Sequence, residues 1–95
     1  MVHGLEDSAD GWVLNKEDKS PAFVAARAGY DVWIPNARGN IYSRDHLWLD
    51  SETDAQYWDF TITDIALYDI SAAIKFIRQC TKMKYSDKIS ILAHS

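Results

Sequence analysis

Residues 61–95 read TITDIALYDISAAIKFIRQCTKMKYSDKISILAHS, and the order of patterns in this stretch decides the fold class. Ile62, Ile65, Ala66, Ile70, Ala73, Ile74 and Ile77 recur at the three- and four-residue steps of a single helix face. Thr61, with Asp64 three residues on, has the form of a capping box, in which side chain and backbone satisfy each other's open groups. The spacing predicts a helix over 62–80, roughly 28 Å long at helical rise. Asp69 interrupts the apolar stripe, so it is either a flank residue or a buried polar group that needs a partner. TKMKYSD then turns the chain, and KISILA (88–93) carries the apolar, β-branched content of a strand.

Upstream, SPAFVAARAGYDVWIPN (20–36) repeats the pattern on a smaller scale. Ser20 is placed to cap a short helix, Pro21 occupies its first position, and Gly29 can take the left-handed conformation that closes it. YDVWI (30–34) follows as a strand, and Pro35 ends it by removing a ladder donor. MVHG (1–4) reads as the end of a further strand running into a turn. Between Asn36 and Trp58 no period is sustained, which marks a long connection of the kind that is functional or locally structured. Helices separating strands imply parallel pairing through right-handed crossovers. The predicted architecture is therefore α/β, with two to three parallel strands, crossover helices and three αβα layers.

Composition narrows the function classes. Hydrophobic residues make up 47% of the 95 and charged residues 25%, which is the make-up of a folded globular segment. A net charge of −4 argues against nucleic acid as a partner, because phosphate binding needs a basic patch. Seven carboxylates and no Lys or Arg lie between Asp45 and Asp69, whereas five basic residues follow between Ile70 and Lys88. Anions toward the start of the long helix and cations toward its end suit the helix dipole. The single Cys80 cannot form an internal disulfide. No transmembrane stretch and no signal peptide is legible, and no glycine-rich phosphate loop is present.

The chemistry-bearing residues lie at the two ends. A strand running into Ala93-His94-Ser95 resembles a nucleophile elbow, where a serine stands on a tight turn flanked by small residues. VHGLEDSADGW (2–12) begins with a His-Gly turn of the type that aims a backbone N–H at a developing oxyanion. Taken with AGYDVWIPNARGNIYSR (28–44) and YWDFTITDIALYDISAAIKFI (57–77), these segments resemble, in order and across nearly the whole chain, the acid lipase family of the α/β-hydrolases. That family includes the gastric, lingual and lysosomal enzymes.

The resemblance implies a partial α/β-hydrolase fold, with residues 1–95 forming the N-terminal part of such a domain, cut at both ends. It assigns the nucleophile to Ser95 and one oxyanion N–H to Leu5. His3, Gly4 and His94 become residues that shape the two turns. Read from the residues themselves, Arg38-Gly39-Asn40 is either only a turn or, as favoured here, the place where Arg38 ties the loop to a carboxylate such as Asp69 by a bidentate pair. The triad acid and histidine are expected after the serine, so the chain alone should be inactive. Two positions depart from the family pattern: Ala93 replaces the usual elbow glycine, and Glu6 an apolar residue. The implied partners are a lipid ester and, for the whole enzyme, a lipid interface, with a secreted or lysosomal location. No cofactor or metal is implied. A non-catalytic pseudo-hydrolase that binds lipid or a protein partner is the competing reading. By residue type alone, His46 reads as a solvated loop group, and Trp12, Trp33, Trp48, Trp58, Tyr30 and Tyr57 as core and loop-pinning residues.

Overall fold

A computed structural model describes residues 1–95, and the chain divides into two units. One comprises Met1–Asn36 with Ile89–Ser95, and the other is Ala37–Lys88.

The first unit contains a 3-10 turn, Ala9–Trp12, and helix α1, Pro21–Arg27. Pro21 sits at the start of α1 as the sequence requires, but Ser20 does not cap it. Its hydroxyl donates instead to the Asn15 carbonyl at 2.7 Å, which places Ser20 among the buried residues. The helix closes on Gly29 at φ +95°: the Gly29 amide donates to Ala26 and the Tyr30 amide to Ala25. This pair of bonds is a Schellman motif, and it needs a residue without a Cβ penalty at the left-handed position.

The predicted parallel sheet does not form. The β-pairing in the molecule is a single parallel bridge, Val2 to Ala93. In it the Val2 amide donates to Leu92 at 2.8 Å and the His94 amide to Val2 at 3.1 Å. YDVWI and KISILA have strand composition but no ladder, so the α/β class, the parallel strands, the crossover geometry and the three-layer arrangement are all corrected. The physical reason is that β-propensity describes a side chain's fit to a pleated, half-buried surface, and that surface exists only when neighbouring strands supply it. Ile91 and Leu92 are about half exposed, so no layer covers them.

In the second unit, a 3-10 turn at Ala55–Trp58 precedes three consecutive helical segments: α2, Ile62–Asp64; a π-helical segment, Ile65–Ile70; and α3, Ser71–Thr81. The capping box forms in full. Thr61 Oγ1 accepts from the Asp64 amide, and the Asp64 carboxylate accepts from the Thr61 amide at 2.8 Å. The helical run ends at Lys82, in the left-handed region at φ +52°. Its half-buried face carries Ile65, Asp69, Ile70, Ala73, Ile74 and Ile77, whereas Ile62 and Ala66, also expected there, are exposed. Asp69 and Ile70, at the end of the π-helical segment, are both half-buried. The aromatic core expectation is also corrected. Of those side chains only Tyr57 is buried, and Tyr30, Trp48 and Trp58 are exposed. No helix is long and apolar enough to cross a membrane.

Candidate functional site

The two ends of the sequence meet in the first unit. The bridge between Val2 and Ala93 puts the next residues of each segment side by side, His3-Gly4 against His94-Ser95. Gly4 is buried, and an added side chain there would press on its neighbours. A Cβ built on Gly4 would lie 3.1 Å from the Ser95 Cβ and 3.2 Å from His94 Nδ1. Both are tighter than ordinary van der Waals contact.

The turn that follows is built from its own polar groups. The Asp7 amide donates to the Gly4 carbonyl at 3.2 Å, so Leu5 and Glu6 occupy the two corners of a β-turn. His3 is buried, and its Nδ1 lies 2.7 Å from the same Gly4 carbonyl. A carbonyl oxygen only accepts, so this contact calls for the proton on Nδ1. The Gly4 carbonyl and the Leu5 N–H belong to one planar trans peptide and point in opposite directions. Two donors on the carbonyl therefore fix the direction of the Leu5 N–H, which has no partner in the protein. Beyond the turn, the Asp7 carboxylate accepts from the Ser8 amide, and the Ala9 amide donates to Asn36 Oδ1 at 2.9 Å.

Ser95 adopts φ +79°, a left-handed backbone that non-glycine residues seldom take. The bond to Val2 fixes the backbone of His94, and its ring packs against Gly4.

Arg38 and Asp69 meet in the second unit. Arg38 Nε donates to Asp69 Oδ1 at 2.9 Å and to Oδ2 at 3.1 Å, Nη2 donates to Oδ1 at 2.6 Å, and the Arg38 amide donates to Oδ2 at 3.0 Å. The hydrogen bonds to Asp69, more than its charge alone, raise the guanidinium pKa above its ordinary value. Arg38 also lies over the rings of Phe60 and Tyr68 at 5.7 and 5.9 Å. The pair ties the start of the long connection to the helical run. No cluster of three or more His, Cys, Asp or Glu side chains converges as a metal site.

No family profile matches the chain. Individual proteins do. The chain is 46% identical to human lipase member K over 84 residues, which is 88% of this chain and 21% of that protein. Human lipase member J is 40% identical and mouse gastric triacylglycerol lipase 41%, each over all 95 residues. The chain belongs to the acid lipase family. It spans 21–25% of the length of these three relatives. The family signal lay in AGYDVW, N-x-RGN and the helix containing YD. The elbow pattern anticipated a tight turn at Ser95, but no sequence pattern marked the hydrogen bonds of the His46 ring to the amides two and three residues on.

Proposed function

We propose that this chain carries the nucleophile-bearing part of a serine ester hydrolase that cleaves neutral lipid esters, triacylglycerols or sterol esters, through an acyl-enzyme. Ser95 Oγ attacks the ester carbonyl carbon and gives its proton to a histidine base. That base and its acid orienter come from the part of the family's sequence that follows the serine. The Leu5 N–H holds the oxygen as it becomes negative, and the residue after the serine supplies a second donor. Collapse of the adduct breaks the ester C–O bond, and the departing alcohol takes the proton from the histidine. Water then attacks the acyl-serine by the same route in reverse and releases the carboxylic acid and the free hydroxyl.

The observation that carries this reading is the contact of Gly4 with His94 and Ser95, beside an unpartnered Leu5 amide. His3, Gly4 and His94 serve as shaping residues, and the Arg38–Asp69 pair serves as a structural clamp. A lipid interface as the working surface and a secreted or lysosomal location follow from the family. Because the base and its orienter are expected from the part of the family's sequence that follows the serine, the 95-residue chain alone is expected to be inactive.

The test is a chimera in which this chain replaces the matching quarter of mouse gastric triacylglycerol lipase. Hydrolysis of a short-chain triacylglycerol is expected, and Ser95→Ala should reduce kcat by about 10⁴–10⁶. A Ser95→Ala chimera with undiminished turnover would refute the proposal. So would Ser95-dependent turnover of a p-nitrophenyl ester by the isolated chain, for the part that calls it inactive.

A further inference from the structure

We infer that His46 is an acid-released latch on the loop 46–49 of the second unit. The ring Nδ1 lies 3.2 Å from the Trp48 amide nitrogen and 3.1 Å from that of Leu49. Amide N–H groups only donate, so Nδ1 must present its lone pair and the proton of the neutral ring sits on Nε2. Both bonds double back on the histidine's own segment, so residues 47 and 48 are pushed outward. Leu47 is 89% exposed and Trp48 75%. The ring is also held edge-on against Trp48 at 4.9 Å and Tyr57 at 6.0 Å.

Imidazole gains a proton in mildly acid solution. A proton on Nδ1 removes the acceptor and sets a donor against two donors, so both bonds are lost together. Asp45, Asp59, Tyr57 and the Arg38–Asp69 pair line the same cavity of about 580 Å³ as His46. Asp69 is engaged by Arg38, whereas the carboxylates of Asp45 and Asp59 form no ion pair. Leu47 and Leu49 are also part of the cavity wall, so release of the latch frees that wall. The device is independent of the Ser95 site.

Nuclear magnetic resonance of the ¹⁵N-labelled 95-residue chain tests it, following the His46 ring nitrogens and the Trp48 and Leu49 amides from about pH 8 to about pH 5. At the upper end Nδ1 should carry the unprotonated signal. On acidification both amides should shift with the ring at one shared midpoint, and their hydrogen exchange should rise about five- to tenfold relative to the Glu52 amide. His46→Asn, which keeps an acceptor oxygen and does not titrate, should hold both amides in place across the range. His46→Phe, which keeps the ring and loses the acceptor, should show released positions at every pH. Three results would overturn the latch: Nδ1 protonated at the upper end, amides that stay still while the ring titrates, or His46→Phe amides at the unsubstituted positions in neutral solution. Amides at unfolded positions throughout the range would count against it equally.

Discussion

The two units hold their key residues by different means. In the unit of Met1–Asn36 and Ile89–Ser95 the long-range ties are made mainly by backbone groups. The Val2–Ala93 bridge and the Met1 ammonium on the Trp33 carbonyl join main chain to main chain, and the Ala9 amide donates to the Asn36 side-chain Oδ1. In Ala37–Lys88 the ties are made by side chains. Arg38 grips Asp69, Trp58 Nε1 donates to the Ser51 carbonyl, and Arg78 donates to the carbonyls of Lys84 and Asp87. Tyr57 and Trp58 stack edge-on at 4.8 Å. A backbone tie is indifferent to side-chain identity until a side chain blocks the approach. A side-chain tie is lost by truncation or by a change of charge. The first unit is thus sensitive to added atoms, and the second to removed atoms and to protons.

Asp69→Ala is expected to have the largest effect. It strands the Arg38 guanidinium and its amide, at a loss of roughly 2–3 kcal/mol of unfolding free energy. That figure lies below the range for a fully buried pair because the Arg38 side chain is 37% exposed, while Asp69 is only 17% exposed. Urea denaturation measures it, and Asp69→Asn should recover part of the loss through its remaining acceptor oxygen. A loss below about 0.5 kcal/mol would reduce the clamp to an ordinary surface pair.

Gly4→Ala comes next and probes the other kind of tie. The added methyl meets Ser95 and His94, and relief by backbone movement should destabilise the unit by about 1–2 kcal/mol. Hydrogen exchange locates the effect: the His94 amide, bonded to Val2, should lose protection, while the Ile65 amide, bonded to Thr61, should not. Equal loss at both amides would erase the distinction between the units.

Acid should act most weakly, at Asp64. Hydrogen bonds from the Thr61 amide and hydroxyl lower the pKa of this carboxyl. A carboxyl with a depressed folded-state pKa stabilises fully above its unfolded value, about 3.9. That contribution is lost as pH falls through the lowered folded value. The helical far-ultraviolet signal should therefore weaken slightly across that acid window, and Thr61→Ala should remove the pH dependence. A helical signal that is flat through the window in the unsubstituted chain would mean that the cap contributes nothing.

The elements whose instructions lie within a few residues were legible in the sequence. Pro21 and Gly29 mark the ends of α1, and Thr61 and Asp64 form the box that starts the long helical run, because these bonds close over three or four positions. Asp69 was legible as a polar residue in need of a partner. The Arg38–Asp69 pair could be suggested because Arg38 lies in the loop that the long helix must anchor. Strands were not legible in the same sense. YDVWI and KISILA have the composition, but a ladder is a property of two segments.

The amino-acid sequence alone thus determined the family, the positions of the helices, the Gly29 end of α1 and the Thr61–Asp64 box, and it nominated Ser95 and the His3-Gly4-Leu5 turn as candidates. These depend on residue identity and short spacing, which a linear string carries in full. The tertiary structure alone decided that parallel pairing shrinks to one bridge and that Gly4 lies against His94 and Ser95. Each of these depends on which groups meet in space, and that is set by closing loops and filling the gaps between side chains.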